Sequence, residues 1–457
     1  MADRILVPFE GEGSGVGELS WGQREMWRAI QRRGSSLAIG GVVPLPAGTT
    51  VEDAAADLRF MMSRHQSLRT RLLLDRDGRA RQVVAASGEA CLEVIDADDA
   101  DPAEVAAGVF DRFHSVEYDY VNEWPVRMAV IGRRGALVCM VVMYCHLAID
   151  GGGVAALIAD MATRDAVTGR SGAPVHGMQP LDQARQEGSP AGRQRSEADL
   201  RRWEKLLRAI PVGRFGDCAG RDQEEPRFRQ ATYRSPAMRL AARVIAARNG
   251  VDTSAVLLAA FAVALARVSG ISPSVAQLVV SNRFRPGFSD TVSTVSHPSL
   301  CVIDVAGVTF DQAVARAARA SFSTFKNAYY DPVHRDELIA RISRERGEDV
   351  DIACFFNDRR ILTRETAGSP LPTREELRAA LPLTTLRWKG KPADPVGERF
   401  FVDVEDAPGA VELRVSPDTR YMSAAHTESF TSEMEAATVQ AAFGPSNAPG
   451  SASGIDL

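Results

Sequence analysis

Nowhere in the 457 residues do about eighteen apolar residues run together, the length a membrane-crossing helix needs. Lysine is almost missing. Lys205, Lys326, Lys389 and Lys391 are the only ones, and arginine supplies the rest of the positive charge. With no basic tract and a net charge of −5, nothing in the electrostatics points to nucleic acid. The arginine bias, beside abundant alanine, reads as genomic base composition. The six cysteines, at 91, 139, 145, 218, 301 and 354, never fall in a C-x-x-C spacing, and no Cys/His cluster fits a zinc site, so no metal is expected. They are expected to be reduced thiols in a cytoplasmic protein. Residues 1–17 are acidic and glycine-rich and lack the apolar core of a signal peptide. Residues 1–18 therefore read as a flexible N-terminus.

What is present is ordinary in bulk and specific in one place. A hydrophobic fraction of 45% and a charged fraction of 25% fit a soluble globular protein, and the length suggests two or three domains. The specific place is the run from Leu137 to Gly153. Its first half, rich in valine and almost unbroken, reads as a strand buried on both faces. It ends at His146; Asp150 and three glycines follow. Val154 to Thr168 then reads as a helix with Val154, Leu157, Ile158 and Met161 on one side. Strand, tight loop and helix place one imidazole at the end of a rigid element. A neutral imidazole is the usual proton carrier near neutral pH. Glycines tolerate positive φ and let backbone N–H groups approach a ligand, and a helix start favours developing negative charge. A general base beside oxyanion-stabilising amides is equipment for acyl transfer.

The stretch Cys145-His146-Leu147-Ala148-Ile149-Asp150-Gly151 resembles the H-H-x-x-x-D-G motif of condensation domains of nonribosomal peptide synthetases. Their superfamily also contains chloramphenicol acetyltransferase and plant-type acyltransferases. The resemblance puts His146 on the catalytic histidine, Asp150 on the aspartate and Gly151 on the glycine. Cys145 replaces the first histidine, the less essential position in the family.

Other stretches carry the resemblance further. Leu19-Ser20-Trp21-Gly22-Gln23 starts a helix, with Ser20 as cap and Gln23 as capping-box partner, and is similar to the first family motif. Leu37 to Leu45 reads as a strand and Thr50 to Ser63 as a helix. Arg64-His65-Gln66-Ser67-Leu68-Arg69-Thr70 resembles the motif R-H-x-x-L-R-T, with His65 expected to be structural. A hairpin is expected around Asp77-Gly78. Asp101-Pro102 opens a helix as cap and first helical residue. Pro125 to Gly132 is expected to pair with Leu137 to Tyr144 through Arg133-Arg134-Gly135. Asp119 to Arg127 loosely resembles the family's D-x-x-x-x-P-x-R, with one extra residue before the proline.

Residues 171–195 read as a Gly/Pro/Gln-rich linker. Beyond it, Tyr233 to Leu240 reads as a strand, Ala241 to Asn249 as a helix, and Ser254 to Val268 as a long apolar helix capped by Asp252 or Thr253. Val275 to Ser281 is a strand leading to Asn282-Arg283, which resembles the family's N-R segment. An aspartate buried near a cleft needs a counter-charge. Arg283 is the expected partner of Asp150, with Arg69 second. Val292 to Pro298 does not match the family sequence at that place, and His297-Pro298 reads as a turn. Asp351 to Phe356 reads as a strand ending at Asn357, a candidate substrate contact. A hairpin around Pro408-Gly409 and a helix from Ser423 to Ala442 close the fold, with 443–457 read as a disordered tail.

The resemblance spans Leu19 to Ala442. It implies an α/β fold with mixed sheets, in which an N-terminal lobe at 19–170 and a C-terminal lobe at 196–442, each acyltransferase-like, form a V with the active site in a tunnel between them. His146 and Gly151 would be catalytic, as base or positioning group for His146, and Asp150 and Arg283 structural at the site. There is no phosphopantetheine attachment motif, no adenylation signature and no D-F-G-W-G element. The resemblance thus implies a free-standing condensation enzyme with no bound cofactor. It would take acyl groups from the phosphopantetheine thioester of a separate carrier protein and form an amide or ester in natural-product biosynthesis. A coenzyme A-dependent acyltransferase and a non-catalytic recruiting module stay open, and a Cys145–His146 thiol nucleophile is a remoter alternative. No nucleic acid or membrane partner is expected.

Overall fold

Residues 2–10 pair along a strand instead of hanging free. In the computed structural model, which describes residues 2–165, 168, 169, 171–218, 225–360, 370–390 and 398–444, they form β1 (Ala2–Glu10). Val7 and Phe9, two residues apart, enter the core, and the whole segment runs antiparallel to Ser87–Asp96. That two-residue period overrides the acidic, glycine-rich composition from which a flexible N-terminus is expected.

The chain divides into two units: Met1–Glu197 with Ser281–His297 and Asp331–Val333, and Ala198–Val280 with Pro298–Tyr330 and His334–Leu457. The first unit continues with β2 (Gly15–Glu18), α1 (Trp21–Arg33), β3 (Ile39–Pro44), α2 (Val51–Arg64), β4 (Thr70–Leu74), β5 (Ala80–Val84), β6 (Ser87–Asp96), α3 (Pro102–Ser115), β7 (Val126–Arg133), β8 (Ala136–Tyr144), α4 (Gly151–Met161), α5 (Pro180–Glu187) and α6 (Pro190–Ala209), the last running on into the second unit. Several starts follow from local chemistry. Ser20 and Gln23 close a capping box on α1, Thr50 and Asp53 close one on α2, and Asp101 caps α3 with Pro102 behind it.

The main sheet of this unit has the order β1-β6-β7-β8-β3, parallel only between β6 and β7; β2-β5-β4 form a small second sheet. The second half of β8 is buried on both faces. Val142 and Tyr144 pack with Leu58 and Met61 of α2 and Leu157 of α4, whereas Val141 and Met143 pack with Ala106, Val109 and Phe113 of α3. Alternate residues thus meet different layers, which is why the run is continuously apolar.

Three expectations about this half need correction. The stretch 171–195 is not a linker. It carries α5 and the start of α6, each opened by a proline, which fits the first helical turn. α4 begins at Gly151 and ends at Met161, so the glycines are its first turn and not a loop before it, and Ile158 faces outward at 63% exposure. Ser281–His297, expected in the C-terminal lobe, belongs to the first unit because its backbone bonds there, as in Ser67 Oγ to the Val292 carbonyl at 2.6 Å.

The second unit holds β9 (Ala231–Ser235), α7 (Pro236–Asn249), α8 (Thr253–Ser269), β10 (Ser274–Val280), β11 (His297–Ile303), α9 (Phe310–Lys326), α10 (Pro332–Arg346), β12 (Cys354–Asp358), α11 (Arg374–Ala380), β13 (Thr385–Trp388), β14 (Phe400–Ala407), β15 (Ala410–Pro417) and α12 (Ala424–Phe443). Its sheet has the order β11-β10-β12-β14-β15-β9-β13, with β10, β12 and β14 mutually parallel. α8 is apolar on all sides and buried, with Phe261 against Phe356 and Phe430. The strand expected at 233–240 stops at Ser235, because Pro236 cannot donate to the ladder and instead opens α7 under a Ser235 cap. His297-Pro298 is the start of β11, not a turn; a residue before proline is held extended. The expected tail lies outside the described residues, apart from Phe443, the end of α12, and Gly444. Among the described residues no single helix is long and apolar enough to cross a membrane; α7 and α8 reach that length only as a pair bent by 111°.

Deleting residues 1–10 removes the buried Val7 and Phe9, at about 1.5–3 kcal/mol each. The truncated chain is expected to show a lower unfolding transition by calorimetry. An unchanged transition would mean that β1 contributes nothing.

Candidate active site

β8 delivers Cys145 and His146 to a tight turn. The Cys145 N–H donates to the Pro125 carbonyl at 2.9 Å, and the Ala148 N–H donates back to the Cys145 carbonyl at 3.0 Å. Cys145 is buried, its Sγ 4.0 Å from the Ser36 carbonyl, and burial pushes its thiol up to about 12. It stays protonated at neutral pH, which removes the idea of a thiolate nucleophile.

His146 is held by its backbone, with Thr294 Oγ1 donating to its carbonyl at 2.7 Å. The residue as a whole is half-buried, while Nδ1 is buried beside the backbone of His146 and Ile149 and makes no hydrogen bond of good geometry among the described residues. Burial pushes the imidazole below its ordinary pKa, and the charge of Asp150 offsets only part of this. The ring is therefore neutral at neutral pH, the form that accepts a proton.

Asp150 caps α4 and is 2% exposed. Its Oδ1 accepts from Gly153 N–H at 2.7 Å and faces Arg283 Nη2 at 2.7 Å. Its Oδ2 accepts from the N–H groups of Val295 and Ser296, both at 3.0 Å, and from Ser296 Oγ at 2.7 Å. Burial alone would raise the carboxyl pKa. Arg283, the Val295 amide and Ser296 outweigh burial and hold it below the carboxylate range. Arg283 Nη2 also donates to the carbonyls of Thr291 and Ser293.

The glycines have another purpose than positive φ, which none of the three adopts. A Cβ on Gly152 would sit 2.6 Å from Arg283 Nη1, and one on Gly153 would sit 2.9 Å from the Ser293 carbonyl. Gly151, the motif glycine, is exposed and has open space where a Cβ would be. The steric demand therefore falls on the two glycines beyond the motif.

The structure thus brings His146, Asp150, Gly151 and Arg283 together. Arg69 goes elsewhere: it is buried and bound to the carbonyls of Glu12, Gly13 and Ala85. His65 sits 2.9 Å from Asp160, which Arg64 also grips, in a structural cluster. Asn357 lies on β12 in the second unit and donates its amide to Asp403 at 2.8 Å. Sequence reasoning missed Thr294, the Val295 amide and Ser296. They lie in the segment that does not match the family, and the only signal there is its run of hydroxyl side chains.

A protein-family model described as "Condensation domain" matches residues 31–348. The chain belongs to the condensation-domain family. No curated protein matches it. Solved structures similar to it include one described as the "molecular basis for condensation domain-mediated chain release from the enacyloxin polyketide synthase", with TM-score 0.72 and 20% identity over 98% of this chain and 86% of that one. Another is SgcC5 from Streptomyces globisporus, with TM-score 0.69 and 18% identity over 93% and 99%. A third is the X-domain from teicoplanin biosynthesis, with TM-score 0.71 and 16% identity over 94% and 96%. At these identities the likeness is one of fold. This condensation domain shares their mixed α/β architecture over nearly its whole length.

Breaking a buried pair by removing one partner costs about 3–5 kcal/mol, because the other charge is left uncompensated. Asp150→Ala and Arg283→Ala are each expected to lose about that much in denaturant unfolding, and the double variant less than their sum. The pairing's contribution is present above the unfolded-state pKa of the carboxyl and is lost as pH falls through the lower folded-state value. Wild-type melting temperatures for both single variants would show that the bridge contributes nothing.

Proposed function

We propose that this condensation domain is an acyltransferase. It moves an acyl or aminoacyl group from the phosphopantetheine thioester of a carrier protein to an amine or hydroxyl acceptor. The observation that carries the reading is His146: a neutral imidazole on a rigid strand end, beside a carboxylate committed to Arg283. A module that only recruits partners has no need of that arrangement.

The acceptor's nitrogen or oxygen attacks the thioester carbonyl carbon while His146 accepts its proton or orients it. The tetrahedral oxyanion then collapses, the C–S bond breaks, and the departing sulfur takes the proton. Asp150 does not carry protons in this scheme. Its lone pairs are occupied by Arg283, Ser296 and backbone amides, so it fixes the loop. The open space at Gly151 and the start of α4 favour approach of a carbonyl oxygen to backbone N–H groups. The phosphopantetheine arm is substrate, not a resident cofactor.

Loaded carrier proteins followed by intact mass provide the test. His146→Ala is expected to lower turnover by about 10² to 10⁴ with the fold intact. The wild-type rate is expected to rise with pH through a midpoint below the usual histidine value, since burial favours the neutral ring. Near-normal turnover by a folded His146→Ala protein would remove the role assigned to His146, whereas no turnover by the wild-type chain would leave the recruiting role.

Docking of a carrier raises the effective concentration of its tethered arm and offsets the arm's lost conformational freedom. The carrier-bound thioester is therefore expected to exceed coenzyme A and truncated pantetheine donors in kcat/KM. Equal values for the three would identify a coenzyme A-dependent acyltransferase.

A further inference from the structure

The largely exposed chain between α3 and β7 sends one buried side chain, Tyr118, behind the histidine turn as a brace. Tyr118 is buried, and its hydroxyl donates to the Met143 carbonyl at 2.9 Å, three residues before His146. The Tyr118 N–H donates to Ser36 Oγ at 2.9 Å. Cys145 Sγ reaches the Ser36 carbonyl at 4.0 Å, a weak contact for a thiol. The side chain next to His146 therefore does little to hold the strand end; the Tyr118 hydroxyl is a side-chain tie to it from behind, beside Thr294 on the His146 carbonyl.

The tyrosine is itself clamped. The Arg127 guanidinium lies 3.8 Å from the centre of its ring. Arg127 grips both Glu123 oxygens at 2.7 and 3.0 Å and donates to the carbonyls of Phe113 and Val116 at 2.7 and 2.6 Å. Burial raises the Tyr118 hydroxyl pKa, so it remains a donor across the working pH range.

We infer that Tyr118 is a positioning residue for His146: its hydroxyl, clamped through Arg127, pins the end of β8 and so fixes the direction and dryness of the imidazole. The kinetic arm of the test rests on the acyl-transfer reading; the titration arm does not. The charges that act on the ring are those of Asp150 and of Arg33 of α1, and neither is altered by the variants below.

Tyr118→Phe removes one oxygen and keeps the clamped ring. The His146 Cε1–H titration, followed by NMR in the full chain and assigned with His146→Gln, is expected to move up toward the ordinary histidine value as water gains access. With carrier-bound donor, kcat is expected to fall about tenfold or more while KM changes by less than about twofold. Tyr120→Phe removes a hydroxyl of the same cluster that bonds Ser36 at 2.8 Å and not β8, and is expected to leave both readouts unchanged. An unmoved titration in Tyr118→Phe, or equal shifts in the two variants, overturns the inference. Should Tyr118→Phe not fold, Arg127→Lys loosens the clamp, and absence of any upward shift there overturns it as well. A wild-type chain that turns over no donor while the titration responds as stated leaves the brace standing and removes the acyl-transfer reading.

Discussion

The site depends on one buried charge. A carboxylate taken out of water is tolerated only if its lone pairs are filled. Asp150 fills them with a guanidinium, a serine hydroxyl and three backbone amides. Those partners come from the first turn of α4 and from the segment Ser281–His297. Asp150 therefore fastens a distant stretch of chain to the histidine turn. The same segment reaches the turn a second time through Thr294 and the His146 carbonyl. With its backbone held at both ends, the turn has little freedom left.

Against that closure stands the imidazole itself. A buried donor or acceptor without a partner costs roughly 1–3 kcal/mol. Every polar atom of Asp150 has a partner, whereas His146 Nδ1 makes no hydrogen bond of good geometry among the described residues. The contrast within five residues separates the carboxylate that organises the turn from the ring beside it. Cys145 belongs to neither class. It is a dry thiol filling a slot between the strand end and Ser36.

Much of the scaffold was legible because its signals are local. Ser20 with Gln23, Thr50, Asp101 with Pro102 and the Asp77-Gly78 hairpin act within three or four residues, and each appears where the sequence places it. The valine-rich run of β8 was legible for a different reason: two-sided burial leaves no polar position to interrupt it. β1 was missed because alternate apolar residues count only once a partner strand exists, and β6 lies some eighty residues away. The helices in 171–195 were missed because proline and glycine were weighed as breakers, although proline opens a helix as readily as it ends one.

At the site itself the division is sharper. The sequence alone determined that a histidine follows a buried strand, that an aspartate stands four residues on, and that the aspartate needs a cation; Arg283 could be named because Asn282-Arg283 resembles the family's N-R segment and a buried carboxylate needs a counter-charge. Only the tertiary structure decided that the Val295 amide and Ser296 complete the carboxylate's shell, that Gly152 and Gly153 are small because Arg283 and the Ser293 carbonyl press on them, and that Gly151 is not so constrained. The reason is physical. Caps, turns and burial patterns are satisfied by neighbours along the chain and leave a period or a spacing. A hydrogen bond between residues 145 or more positions apart leaves none, because any segment that folds back to the right place can supply the donor.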